Sequence, residues 1–219
     1  MAKVPDSVTL EKILVMLEVY CIGTNTQKTN EKKIMTAGWK LFLTQGYENT
    51  TISQILEASD TSRSAFYHHF NGKEDLLFTL AYSYDADYDT WYETCNSTLH
   101  SVDKLIQFNQ FVMINLENSP YAELFAPLYG LQVTTSSTRH ILNQDRHYYK
   151  ILRTLIKEGQ ECHEIDNALS YAALTDIITN MQIGLTYSWC LQRQSFSLLD
   201  YGQKILNPFL ESLRTNREA

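Results

Sequence analysis

Residues 50–76 read TTISQILEASDTSRSAFYHHFNGKEDL and decide the fold. Thr51 can cap a helix, because its hydroxyl can accept a hydrogen bond from a backbone N–H of the first turn. The residues after it include three apolar side chains at helical spacing, namely Ile52, Ile55 and Leu56. Residues 58–61 interrupt this pattern, and Ser62 stands where a second cap is expected. The stretch therefore predicts two short helices joined by a tight turn, with a third helix after them.

The second of these helices has two different faces. Phe66 and Phe70 are four residues apart and therefore share one side. The other side offers hydrogen-bonding groups, which belong to Arg63, Ser64, Tyr67 and His68. Two helices with a short turn, the second pointing such groups outward, are typical of a helix-turn-helix whose second helix enters the major groove. An ordinary helical hairpin with a polar solvent face fits the same periodicity.

Several motifs follow one another in a specific order around this stretch. They are Leu41-Phe42, Gly46-Tyr47, Thr50-Thr51-Ile52, Ile55, Ser62-Arg63-Ser64-Ala65-Phe66-Tyr67-His68-His69-Phe70 and Lys73-Glu74-Asp75-Leu76. With this order, residues 30–77 resemble the DNA-binding domain of TetR/AcrR-family transcriptional regulators. The resemblance implies a DNA-contacting set made of Thr51, Ser62, Arg63, Ser64, Tyr67, His68 and Lys73. In that set, Lys73 at the start of the third helix is expected to contact a backbone phosphate.

One position departs from the family pattern, and the charge of this region is unusual for a DNA-binding domain. The family usually has Gly in the turn where this chain has Asp60, although Asp tolerates a left-handed backbone better than most residues. Residues 28–80 hold six Lys/Arg and six Asp/Glu, whereas the whole chain carries a net charge of −7. The acidity therefore lies mostly in the C-terminal part, and the neutral DNA-reading segment predicts modest non-specific affinity.

Composition excludes several other classes of protein. The 219 residues suffice for one large or two modest domains, and no apolar run approaches the roughly 20 residues of a membrane span. The four cysteines are scattered without a C-x-x-C pair, and residues 161–164 (ECHE) contain metal-capable groups. We read that cluster as a polar loop and expect neither a metal nor a cofactor. With no glycine-rich phosphate loop or nucleophile motif, we expect a cytoplasmic, non-enzymatic protein.

The remaining periodicity predicts helices throughout, so the fold class is all-α. Residues 1–27 form an N-terminal extension, in which 5–22 predict a helix and 24–30 a polar linker. That helix is interpreted as an added stabilising element, or alternatively as a contact with a partner subunit or DNA. Residues 28–76 form the helix-turn-helix DNA-binding domain, and residues 77–219 form a helical bundle for effector binding and dimerisation. Helices are expected over residues 73–95, 102–118, 121–129, 139–157, 167–191 and 198–214.

The C-terminal part is rich in aromatic residues at helical spacing, most of which we expect to be packing residues. The family resemblance implies a pocket for a small effector there. Our candidates for its lining are Tyr88, Trp91, Phe111, Phe125 and Tyr149. The last two predicted helices carry small or apolar residues suited to a two-fold dimer, which the family typically forms; these are Ala172, Ile177, Met181, Leu206 and Phe209.

These patterns together lead to a functional hypothesis. It is a homodimeric transcriptional regulator, most consistent with a repressor that a small-molecule effector releases from a palindromic operator in double-stranded DNA. Two recognition helices in a two-fold dimer lie about one DNA turn apart, ~34 Å. The alternative is a TetR-like co-activator or adaptor that acts through protein–protein contacts. Asp60 and the low charge of the reading segment also fit this alternative.

Overall fold

A computed structural model describes residues 26–136 and 138–215 and confirms the all-α class. In these residues we number ten α-helices in chain order. They are α1 (Thr26–Gln45), α2 (Ile52–Ser59), α3 (Arg63–His69), α4 (Lys73–Phe78), α5 (Asp85–Thr94), α6 (Ser101–Glu117), α7 (Ala122–Thr134), α8 (His147–Glu161), α9 (Tyr171–Leu191) and α10 (Leu198–Ser212). Two 3₁₀ turns, Thr79–Tyr82 and His140–Leu142, complete the set. The helix expected over residues 5–22 lies outside the described residues.

Several predicted boundaries were wrong for identifiable reasons. The linker expected over residues 24–30 is in part helical, since α1 begins at Thr26. The continuous helix expected from Lys73 to Cys95 is broken by the 3₁₀ turn after α4. There the hydroxyls of Thr79 and Ser83 donate to the carbonyls three residues earlier, Leu76 at 2.6 Å and Leu80 at 2.8 Å. Such local bonds compete with regular helix geometry.

Similar local hydrogen bonds make two later helices begin further along the chain than predicted. The helix expected from residue 139 begins only at His147, because Asn143 Oδ1 accepts from the Asp145 N–H at 2.9 Å and holds a turn. The helix expected from residue 167 begins at Tyr171, where Ser170 caps it by accepting from the Ala173 N–H at 3.2 Å. By contrast, α7 is longer than predicted. It was expected to end at residue 129 but continues through Pro127 to Thr134.

The chain packs into two units. The first segment of one unit ends at Ser83, and Glu123–Leu142 joins it; the other unit holds Tyr84–Ala122 and the chain from Asn143 onward. The sequence-based boundary at residue 76 remains a prediction about domains. In the first unit α1 packs on α2, α3 and α4, and in the second α6 packs on α8 and α10 while α9 packs on α8 and α10.

Two glycines, one within α1 and one directly after it, contribute to the packing of the first unit. A Cβ on Gly38 would lie 2.2 Å from Cδ2 of Leu76, so any other residue would force the buried Leu76 side chain of α4 to shift. Gly46 has φ +87°, and its N–H donates to the Phe42 carbonyl at 3.1 Å, which ends α1. Near Gly38, Trp39 Nε1 donates to the Leu76 carbonyl at 3.1 Å. These contacts fix the position of α4 against α1.

Candidate nucleic-acid interface

The first helix of the predicted pair begins with a complete capping box. Thr51 Oγ1 accepts from the Gln54 N–H at 3.3 Å, and Gln54 Oε1 accepts from the Thr51 N–H at 2.8 Å. Gln45 at the end of α1 donates from Nε2 to the same Gln54 oxygen at 3.0 Å. These bonds satisfy N–H groups that a helix start leaves open. Thr51 is exposed, so the predicted DNA contact is sterically available although its hydroxyl already serves the helix.

The turn between α2 and α3 has the geometry that glycine usually supplies. Asp60 adopts φ 49° and ψ 50°, in the left-handed region that Asp tolerates better than most residues. Its N–H donates to the Glu57 carbonyl at 3.3 Å, and the Thr61 N–H donates to the Leu56 carbonyl at 3.2 Å. Both bonds satisfy carbonyls at the end of α2. The carboxylate in the turn is therefore compatible with the fold.

Helix α3 presents its polar side chains to solvent, as predicted. Ser62 caps it by accepting from the Ala65 N–H at 3.1 Å. Phe66 and Phe70 are 0% and 4% exposed and lie 5.6 Å apart between ring centroids, so they anchor the helix in the core. The side chains on the other face are exposed and donate to or accept from no group in residues 26–136 and 138–215; they are Arg63, Ser64, Tyr67 and His68. Their hydrogen-bonding groups are available to a partner.

Lys73 has an unexpected environment. Its Nζ donates to three backbone carbonyls, those of Tyr47 at 2.9 Å, Glu48 at 3.3 Å and Thr50 at 3.1 Å. The same ammonium lies 4.4 Å from the centroid of the Tyr47 ring. An ammonium has three N–H donors, and all three have acceptors here. Lys73 therefore ties the start of α4 to the segment between α1 and α2, and we call this set of three hydrogen bonds the Lys73 clamp. The phosphate contact of Lys73 stays a prediction.

Four of the five effector candidates lie in the second unit, among packed aromatic rings. Tyr88 and Trp91 on α5 lie 6.3 Å and 6.2 Å from the Phe111 ring on α6. Tyr149 contacts its neighbour Tyr148 edge-on at 5.3 Å. Phe125 belongs to the other unit, where it is buried. The rings of Tyr88 and Tyr149 are nearly fully buried, and those of Trp91 and Phe111 are partly exposed.

Sequence reasoning missed a row of buried polar side chains on α9. These residues are at most 7% exposed and recur at helical spacing; they are Thr175, Thr179, Gln182 and Thr186. Gln182 Oε1 accepts from the hydroxyl of Tyr148 on α8. Burial raises the pKa of Tyr148 well above its usual value. The only sequence signal was the spacing itself, which also fits a solvent-facing stripe.

The dimer candidates divide by exposure. Ala172 is exposed, and Ile177, Met181 and Phe209 are partly exposed, so they are available to a second copy. Leu206 is 1% exposed and belongs to the core of its own chain, because α10 turns this side chain towards its neighbours. Other large apolar side chains on α9 and α10 are also exposed; they are Tyr187, Leu191, Tyr201 and Ile205. Their role at an interface remains a prediction.

Two further properties concern metals and membranes. Within residues 26–136 and 138–215, no three His, Cys, Asp or Glu side chains converge as a metal site would require. Searching the same residues, we find no helix with the length and apolar character needed to span a bilayer.

Two short helices joined by a left-handed turn, with a capped second helix whose outer side chains are free, define a helix-turn-helix DNA-binding domain. Residues 34–80 match the family "Bacterial regulatory proteins, tetR family". In this domain the chain is similar to TetR-family regulators, which are typically non-enzymatic DNA-binding proteins.

Relatives agree with this assignment. The chain is 34% identical over 61 residues to the HTH-type transcriptional repressor AcnR of Corynebacterium glutamicum, covering 27% of this chain and 32% of AcnR. It is 22% identical over 129 residues to the HTH-type transcriptional regulator QacR of Staphylococcus aureus, covering 58% of this chain and 69% of QacR. The match to AcnR thus spans about a third of that relative's length.

A solved structure extends the similarity to the whole fold. FadR of Thermus thermophilus, a TetR-family transcriptional repressor solved in complex with lauroyl-CoA, superimposes with a TM-score of 0.67. The alignment covers 86% of this chain and 96% of that one at 16% identity. At this identity the likeness concerns the fold, an N-terminal helix-turn-helix followed by a C-terminal helical domain.

Proposed function

We propose that this protein is a homodimeric transcriptional repressor whose affinity for a palindromic operator falls when a small molecule binds its C-terminal unit. The observation that carries the proposal is the outer face of α3. Arg63, Ser64, Tyr67 and His68 are exposed there on a helix whose opposite face is anchored by Phe66 and Phe70. Guanidinium, hydroxyl, phenol and imidazole groups can all reach base edges or phosphates in a major groove.

The dimer is supported by the apolar surface of the last two helices. Leu191 is 66% exposed, Tyr201 49% and Ile205 40%, and such side chains are uncommon as a group on a monomer. A two-fold dimer would place two copies of α3 about one DNA turn apart, ~34 Å, which suits a palindrome. Control by an effector requires that the effector bind one dimer conformation more tightly than the other.

The test begins with selection of bound sequences from a random DNA pool, followed by gel shifts on the selected fragment. We expect a palindromic consensus bound by a dimer, with mass measured by light scattering. Arg63→Ala with Tyr67→Ala removes two groups able to contact bases, each worth about 1–3 kcal/mol, so affinity should fall about 100-fold. The matched control is Lys150→Ala with Lys157→Ala, which removes two exposed cations of α8 in the other unit.

Unchanged affinity in the Arg63/Tyr67 variant would remove α3 as the reading helix. A lack of selected DNA, together with retention of a second protein on the purified chain, would instead favour the adaptor function. Asp60 and the balance of six cations against six anions in residues 28–80 are the features that fit that second candidate.

A further inference from the structure

Helix α9 carries polar side chains where a helical bundle usually has apolar ones. Thr175, Thr179, Gln182 and Thr186 are 1%, 4%, 7% and 3% exposed. Their spacing of four, three and four residues places them in one row along the helix. The row is therefore a continuous polar strip inside the second unit.

The two ends of this row are satisfied, but its middle is not. Thr175 Oγ1 donates to the Tyr171 carbonyl at 2.8 Å, and Thr186 Oγ1 donates to the Gln182 carbonyl at 2.9 Å. Gln182 accepts from Tyr148, yet its Nε2 and the hydroxyl of Thr179 have no hydrogen-bond partner in the described part of the chain. Buried polar atoms are rarely left unpaired without a reason, because each loses its bonds to water.

Aromatic rings surround the same point. The Tyr148 ring lies 5.9 Å from Phe108, stacked, and 6.2 Å from Tyr88. Trp91 lies 4.9 Å from Phe108 and is partly exposed, so the cluster reaches the surface of the unit. Among the buried residues of the described ranges, none has a charged side chain. The surroundings are thus mainly apolar and aromatic, and the nearby Arg146 guanidinium is paired with Asp85 at 3.5 Å. Two unpaired hydrogen-bonding atoms lie in the middle of the row.

We propose that Tyr148, Thr179 and Gln182 form the polar end of a ligand site that takes an uncharged molecule with a flat apolar body. The molecule would carry one group that accepts from Gln182 Nε2 and donates to Thr179 Oγ1, as a carboxamide can. Its body would separate the rings of Tyr88, Phe108 and Tyr148 and enter past Trp91. A carboxylate is disfavoured, because the nearby Arg146 guanidinium is already paired with Asp85 and cannot fully replace the carboxylate's hydration. The proposal rests on the proposed function only for the effect of this ligand on DNA.

The probes are 2-naphthamide, its charged analogue 2-naphthoate, and naphthalene, titrated into the full chain by calorimetry. We expect 2-naphthamide to bind at least about tenfold more tightly than 2-naphthoate. Gln182→Met should weaken 2-naphthamide about tenfold and leave naphthalene within about twofold, since only the amide uses the side chain. Gln107→Met, at an exposed glutamine of α6, is the matched control and should change neither.

Thr179→Val guards against a variant that merely fails to fold. It removes an unpaired hydroxyl at nearly constant volume, so we expect its melting temperature to be unchanged or raised by about 2–4 °C while 2-naphthamide binding weakens. Equal affinity for the amide and the carboxylate, or unchanged amide binding in both variants, would overturn the site. Selective amide binding that leaves the gel shift unaffected would support the site and contradict effector control.

Discussion

Helices α3 and α9 use polar side chains in opposite ways. On α3 the phenyl rings of Phe66 and Phe70 are buried and the hydrogen-bonding groups face solvent. On α9 the polar row from Thr175 to Thr186 is buried, while apolar side chains such as Tyr187 and Leu191 are 42% and 66% exposed. An exposed polar face suits a hydrated, polar partner such as DNA. A helix with polar groups inside and apolar groups outside suits a buried ligand on one side and a second subunit on the other.

The largest expected effect separates the two faces of α3. Phe66→Ala removes a fully buried ring and should lower the free energy of unfolding by about 3–5 kcal/mol, abolishing DNA binding through loss of structure. The neighbouring Tyr67→Ala acts on a side chain 49% exposed, so the free energy should change by only about 0.5 kcal/mol. DNA affinity should nevertheless fall in it. Urea unfolding and gel shifts measure both; equal destabilisation by the two variants would contradict this division.

The next largest effect tests the clamp made by Lys73. Lys73→Met removes three hydrogen bonds to carbonyls near the start of α2, and we expect a loss of about 1.5–3 kcal/mol in urea unfolding. Lys40→Met, at an exposed lysine of α1, is the control and should be close to neutral. The salt dependence of DNA binding then tests the phosphate contact. A slope of log affinity against log salt reduced by about 0.9 would support that contact, and an unchanged slope would leave Lys73 with the clamp alone.

A third effect should distinguish the two units in alkaline solution. In the second unit, burial raises the pKa of Tyr84, Tyr148 and Tyr149, and it raises that of Cys190 to about 11. Above the pKa values of the unfolded chain, near 9–10, these groups lose protons only on unfolding, so stability falls as pH rises. In the described part of the first unit, Tyr47 alone shows such a shift.

Tryptophan fluorescence can report on each unit during this titration. Trp39 lies in the first unit and Trp189 in the second, both 2% exposed. With the other tryptophans replaced by Phe, the Trp189 signal should change at a lower pH than the Trp39 signal. Tyr148→Phe should move the Trp189 midpoint to higher pH, because one ionisable group is gone. Coincident midpoints would show that the two units respond to alkali together.

The same contrast explains what the sequence could predict. Local features of the first unit were predictable, because Thr51, Ser62 and Gly46 act within a few residues of their own positions. The buried row on α9 was not, because threonine and glutamine at helical spacing normally indicate a solvent-facing side. Whether these α9 side chains are buried depends on the helix that packs against them. That helix is distant in the sequence, since the Tyr148 hydroxyl that contacts Gln182 lies 34 residues away on α8. The burial of Leu206 in its own chain also depends on packing against other helices.

The smallest expected effect concerns Asp60, which the sequence describes only in part. Its left-handed conformation was expected from the residue type, but its surroundings were not. Asp60 lines an open groove that also holds Lys32, Lys33 and Lys40 of α1. The carboxylate therefore reduces the positive potential of a lysine-rich surface beside the reading helices. Removing that charge without altering the turn should strengthen DNA binding.

Asp60→Asn meets this condition, because asparagine also tolerates φ 49°. We expect a two- to fivefold gain in affinity at low salt, about the weight of one exposed charge, that disappears at high salt. Asp60→Ala removes the same charge but should lose about 1 kcal/mol of stability, since alanine is strained in the left-handed region. Gel shifts across salt concentrations separate the two effects. An Asn variant with unchanged affinity would mean that the groove lies away from the DNA, and that the low charge of the reading segment does not limit binding.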